Sequence, residues 1–105
     1  MALFFTSLAS GSNGNCYYIG NEREAILVDA GITCREVERR MERLGLQPQK
    51  LKAIFISHEH SDHIRGLNLI SKKYNLPVYI TAETYRFCPV PVERHLVKNF
   101  AAFEP

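Results

Sequence analysis

Three of the four histidines in this chain fall within six residues, His58-Glu59-His60-Ser61-Asp62-His63, directly behind the apolar run Ala53-Ile54-Phe55-Ile56-Ser57. That juxtaposition restricts the fold, because a buried strand has to end where a dense set of ligating side chains begins. In extended chain, residues at i and i+2 project to the same side, so His58 and His60 can meet one ion. Asp62 and His63 lie where the chain turns into a helix and can face a second. Imidazole and carboxylate are the ligand set that zinc, manganese and iron accept. A solvated turn is the ordinary reading of a lone histidine; clustering behind a strand favours a metal motif.

The rest of the 105 residues supply a sheet and helices around that point. Residues 3–9 are rich in β-formers and stop at Ser10-Gly11-Ser12-Asn13-Gly14-Asn15. Residues 16–19 follow, so the pair reads as a hairpin with a long polar loop. Residues 25–29 (AILVD) read as a third strand, 53–57 as a fourth and 78–81 as a fifth. Thr33 and Glu36 have capping-box spacing, and Val37, Met41 and Leu44 then form one apolar stripe ending at Gly45. Ile64, Leu67, Ile70 and Tyr74 predict a second helix reaching about Asn75, and a short helix is expected after Thr81. Residues 93–103 fit helix or irregular chain equally.

The H-x-H-x-D-H run behind a hydrophobic strand resembles the metal motif of the metallo-β-lactamase superfamily. The flanks, from Ser7 to Ile19 (SLASGSNGNCYYI), Leu27-Val28-Asp29-Ala30-Gly31 and Ile54-Phe55-Ile56-Ser57, resemble its YycJ-like (WalJ-like) hydrolases. The resemblance implies an α/β fold of layered α+β character. The chain would be one partial domain, 1–105, the N-terminal half of an αββα sandwich, with a mixed sheet carrying helices on one face. It implies two divalent metal ions, zinc first with manganese or iron as alternatives. His58 and His60 would bind the first ion, and Asp62 and His63 the second, with Asp62 positioning the nucleophilic hydroxide. Asp29 would be a carboxylate supporting a metal-bound histidine. The Ser10–Asn15 loop would lie at the edge of the site.

The implied activity is hydrolysis of phosphodiesters in nucleic acid, exonuclease-like, in the longer protein. A hydrolase of small esters or thioesters is the first alternative, since fold does not fix substrate. The second is a non-catalytic fragment that associates through its exposed sheet. The family's remaining ligands come from the second half of its fold, so two ligands per ion are expected here and the 105 residues alone are expected to be inactive. His95 stands in Val92-Glu93-Arg94-His95-Leu96 without ligand-like neighbours and reads as a surface or interface histidine.

Composition excludes other classes. Charge is mild, +2, so affinity for nucleic acid cannot be argued from charge alone. Arg35, Arg39, Arg40 and Arg43 alternate with Glu36, Glu38 and Glu42, the pattern of a solvated helix laced with ion pairs. Three widely spaced cysteines do not make a disulfide scaffold, and Cys16 and Cys34 read as packing residues. With neither a basic leader nor an apolar run of membrane-spanning length, a cytoplasmic protein without membrane contact is expected.

Overall fold

A computed structural model describes residues 2–58, 60–88 and 96–99. The expected hairpin is formed by β1 (Phe4–Ala9) and β2 (Cys16–Gly20), and β2 turns back into β3 (Ala25–Val28). After α1 (Cys34–Arg43) and a 3₁₀ turn at Pro48–Lys50, β4 (Leu51–Phe55) enters the sheet beside β3. Then come α2 (Ser61–Ile64), α3 (Leu67–Tyr74), β5 (Val78–Ile80), α4 (Ala82–Arg86) and β6 (Val97–Asn99). Among the described residues the sheet order is β1-β2-β3-β4-β5-β6. Pairing is antiparallel from β1 to β3 and parallel from β3 onward, the mixed sheet expected.

Period-two alternation along the strands separates the two faces of the sheet. Tyr18, Leu27, Ile54, Val78 and Ile80 are buried and belong to one core with Val37 and Met41 of α1, Ile64 of α2, and Leu67 and Ile70 of α3. The alternate positions Tyr17, Ile19, Ile26, Val28, Phe55 and Tyr79 are only half-buried. Phe5, which stacks on Tyr17 with ring centroids 5.7 Å apart, is 63% exposed. Helices therefore cover one face, and an aromatic-rich apolar face remains on the other.

Thr33 caps α1, accepting from the Glu36 N–H at 3.2 Å. Glu36 turns its carboxylate to Arg39 and Arg40, at 3.3 and 3.2 Å, so the ion-paired reading of this helix holds. The helix ends in a Schellman arrangement, with Leu46 N–H on the Met41 carbonyl and Gly45 N–H on that of Glu42.

Four of the expected elements need correction. The fourth strand, expected over 53–57, runs instead from Leu51 to Phe55. The third strand stops at Val28, because Asp29 sits at φ 65°, outside the β region. The single helix expected over 64–75 starts earlier and breaks after one turn. The carbonyls of Asp62 and His63 accept from Asn15 and Ala30 N–H, at 2.6 and 2.8 Å. Gly66 N–H, which would have continued the helix, turns instead to the Ala30 carbonyl at 2.8 Å. A Cβ at position 66 would stand 2.1 Å from the Ile32 carbonyl oxygen, so only glycine fits. Finally, 97–99 within the unassigned 93–103 stretch are strand β6, parallel to β5. His95 lies outside the described residues.

Candidate metal centre

The parallel pairing of β3 and β4 places the ends of both strands side by side, with Val28 opposite Phe55. Beyond that pair the chain of Asp29 swings into the left-handed region, and its N–H donates to the Phe55 carbonyl at 2.7 Å. The carboxylate is 3% exposed and heavily engaged. Its Oδ1 accepts from the Ser57 N–H at 2.7 Å. Its Oδ2 accepts from the Ser57 hydroxyl at 2.6 Å and lies 2.7 Å from His63 Nδ1. A non-glycine residue with positive φ costs free energy, and here the three contacts hold it in place.

This network sets the histidine tautomers. A carboxylate accepts only, so Nδ1 of His63 carries the proton that bridges to Asp29. Ser57 gives its single hydroxyl proton to Asp29 and can only accept from His58 Nδ1, 2.9 Å away. His58 is therefore protonated at Nδ1 as well. Both rings turn Nε2, with its lone pair, away from the anchoring hydrogen bonds.

The rings converge. His58 and His63 have centroids 4.8 Å apart, His58 and His60 6.1 Å. Nε2 of His63 lies 3.5 Å from Asp62 Oδ2. His58 and His60 are exposed, whereas the Asp62 and His63 side chains are partly buried. All four motif residues and Asp29 thus meet at one end of the sheet. Glu59 lies outside the described residues. Among the described residues no three His, Cys, Asp or Glu side chains already stand at ligand-holding distances.

The Ser10–Asn15 loop borders this end, as anticipated, and touches it through Asn15, whose N–H meets the Asp62 carbonyl at 2.6 Å. Gly31 lies between them. A Cβ on Gly31 would stand 1.8 Å from the Asp62 carbonyl oxygen and 2.5 Å from Asn15 N, which explains the glycine of the Asp29-Ala30-Gly31 turn. Cys16 is fully buried, and burial, reinforced by the Asp29 charge, pushes its thiol up to about 12. It packs rather than reacts. A cleft of about 400 Å³ between β1 and α1 is lined by Glu36, Arg39, Arg40 and Arg43, away from the histidines.

Sequence reasoning missed two residues here, Ser57 and Asn15. Strand period places Ser57 and turn composition places Asn15, but neither local signal reports their direct contacts to His58 and Asp62.

The sequence pattern of the metallo-beta-lactamase superfamily matches residues 9–101. The chain belongs to this superfamily. It is 39% identical over 99 residues to the exodeoxyribonuclease YycJ of Bacillus anthracis, covering 94% of this chain and 36% of that protein. It is 37% identical over 82 residues to the exodeoxyribonuclease WalJ of Streptococcus pneumoniae, covering 78% of this chain and 30% of that protein. The chain thus spans about a third of the length of these relatives. Among solved structures, the metallo-beta-lactamase SMB-1 superposes with a TM-score of 0.74 at 21% identity, over 89% of this chain and 42% of that one. The subclass B3 enzyme MEM-A1 does so with a TM-score of 0.77 at 18% identity, over 95% and 44%. These likenesses establish the metallo-β-lactamase fold, of which the chain covers part.

Proposed function

We propose that this chain carries the N-terminal half of a dinuclear metal-dependent hydrolase acting on phosphodiesters of nucleic acid. The observation that carries the reading is the hydrogen-bonded unit His63–Asp29–Ser57–His58, which anchors two imidazoles by Nδ1 and leaves Nε2 of His63 3.5 Å from Asp62 Oδ2. Ligating histidines are characteristically held in this way by a carboxylate on the opposite ring nitrogen. The donor set fits a divalent metal: imidazole nitrogen and carboxylate oxygen, with zinc first and manganese or iron as alternatives.

In this reading His58 and His60 hold the first ion, and Asp62 and His63 the second. When bound, the ions would supply Lewis acidity toward the phosphoryl oxygens and acidify a water. Asp29 keeps the His63 proton on Nδ1, and Ser57 does the same for His58. Asp62 contributes a carboxylate oxygen that orients the attacking water. The names of the YycJ and WalJ relatives, exodeoxyribonucleases, favour a DNA substrate. Among the described residues no helix is long and apolar enough to cross a membrane.

The test has two parts. Elemental analysis of the desalted 105-residue chain reads metal content, and the His58→Ala and His63→Ala variants should each lose metal relative to it. Turnover of single-stranded DNA, a simple phosphodiester, a carboxylic ester and a thioester is then compared in a chain extended to the length of the relatives. DNA cleavage that depends on His58 supports the reading. Ester or thioester turnover without DNA cleavage would replace it with the small-substrate alternative.

A second reading rests on the half-covered sheet face around Phe5, Tyr17, Phe55 and Tyr79. An apolar face of this kind favours association, and the isolated 105 residues would self-associate through it and be inactive. Sedimentation of the chain against a Phe5→Lys variant checks it: the variant should shift toward monomer.

A further inference from the structure

Among the described residues, Asn15 is the one residue of the β1–β2 loop that reaches into the motif with both backbone and side chain. Its N–H donates to the Asp62 carbonyl at 2.6 Å, and its own carbonyl accepts from Gly31 N–H at 2.8 Å. These bonds fix the Asn15 backbone against the turn that bears the ligands. The side chain continues the contact. Oδ1 accepts from Gly11 N–H at 3.2 Å and lies 3.5 Å from the Tyr17 hydroxyl. Nδ2 stands 2.9 Å from the Gly11 carbonyl, 3.2 Å from the Asp62 carbonyl and 3.1 Å from Asp62 Oδ2.

The orientation of the amide follows from its partners. Gly11 presents an N–H on one side, so the carbonyl oxygen of Asn15 belongs there. Reversing the amide would aim Nδ2 at that N–H and set Oδ1 against three oxygens, all acceptors. Nδ2 of Asn15 therefore faces Oδ2 of Asp62, the same oxygen that lies 3.5 Å from His63 Nε2. A carboxylate rotates freely about its last bond unless something holds one of its oxygens. Asn15 does so from a different part of the chain, 47 residues away.

We propose that Asn15 is a positioning residue for Asp62, holding Oδ2, the carboxylate oxygen that lies 3.5 Å from His63 Nε2, where the two side chains can share an ion. The contact stands on the hydrogen bonds alone; its consequence for metal rests on the metal-hydrolase reading above. Partners of ligating carboxylates typically contribute about 10–100-fold in metal affinity.

Two measurements test this. The first needs no metal. In chelator-treated, ¹⁵N-labelled 105-residue chain, the side-chain amide resonance of Asn15 should move when Asp62 is changed to alanine. A resonance that stays in place overturns the contact. The second titrates Zn²⁺ into wild type, Asn15→Ala and Asn15→Asp of the chain extended to the length of the relatives, with thermal unfolding followed in parallel. Asn15→Asp keeps the shape and the acceptance from Gly11 N–H but replaces the donor to the Gly11 carbonyl and to Asp62 with a second carboxylate oxygen. Both variants should bind the ion at least about tenfold more weakly, and Asn15→Asp should gain nothing over alanine. An Asn15→Asp chain that binds zinc like wild type means Asn15 is only loop structure and overturns the proposal. If alanine prevents folding, Asn15→Asp and the amide resonance still decide. An extended wild-type chain that takes up no zinc overturns the metal-hydrolase reading, while the resonance separately decides the contact.

Discussion

Asp29 Oδ2 and His63 Nδ1 lie 2.7 Å apart although the residues are separated by 34 positions in sequence. The carboxylate is buried, and it ties the end of β3 to the first turn of α2. The same atom accepts the Ser57 hydroxyl at 2.6 Å. One carboxylate therefore sets two imidazoles, and the first prediction follows from it.

Asp29→Asn should weaken metal binding by about 10–100-fold, because an amide cannot accept on both sides and hold His63 in one tautomer. It should also destabilise the fold by about 1–3 kcal/mol, since buried donors lose their acceptor. Zinc titration and urea unfolding of the two chains measure the two effects.

Ser57 carries the link from Asp29 to His58. Ser57→Ala should weaken metal binding through His58 and leave Nδ1 without its local acceptor, while Ser57→Thr, which keeps the hydroxyl, should bind close to wild type. The His58 ring ¹⁵N shifts read the same point directly, as a change in tautomer balance in the alanine variant only.

Gly31→Ala forces a methyl to within 1.8 Å of the Asp62 carbonyl oxygen, a backbone atom that cannot move aside alone. A cost of about 1–3 kcal/mol is expected from overpacking, with loss of the Asn15–Asp62 contact. Chemical denaturation and the Asn15 amide resonance check it together.

Cys16 supplies a pH prediction. Its thiol is raised from 9.0 to about 12 by burial. The unfolded chain ionises this group first, so stability is unaffected below about pH 9 and falls between about 9 and 12. A Cys16→Ala variant should show a shallower alkaline decline than wild type, whatever its stability at neutral pH. Thiol labelling at pH 8 should leave Cys16 unmodified until the chain unfolds.

The strands and α1 were legible because period and capping are local properties. Thr33, Val37 and Met41 of the stripe, and the stop at Gly45 act over a few residues and the chain carries them out, whereas Leu44, the third residue of that stripe, is 53% exposed. The motif His58-Glu59-His60-Ser61-Asp62-His63 was legible for the same reason. The break between α2 and α3 was not, because it depends on Asn15 and Ala30 taking carbonyls that the helix would use, and these donors come from distant loops. Ser57 and Asn15 escaped for the same physical cause. Their roles are set by strand register and by how one loop crosses another, over separations of 28 and 47 residues. β6 was hidden because three residues are too few to show a period.

The two carbonyls that α2 gives away have a consequence for observing this molecule in solution. Asn15 and Ala30 amide protons are protected only while the Asp62 and His63 carbonyls stay where they are. Neither amide belongs to the histidine motif, so each exchanges with solvent as a remote gauge of it. Their exchange rates should rise together whenever the ligand turn opens, and slow together when anything clamps it shut.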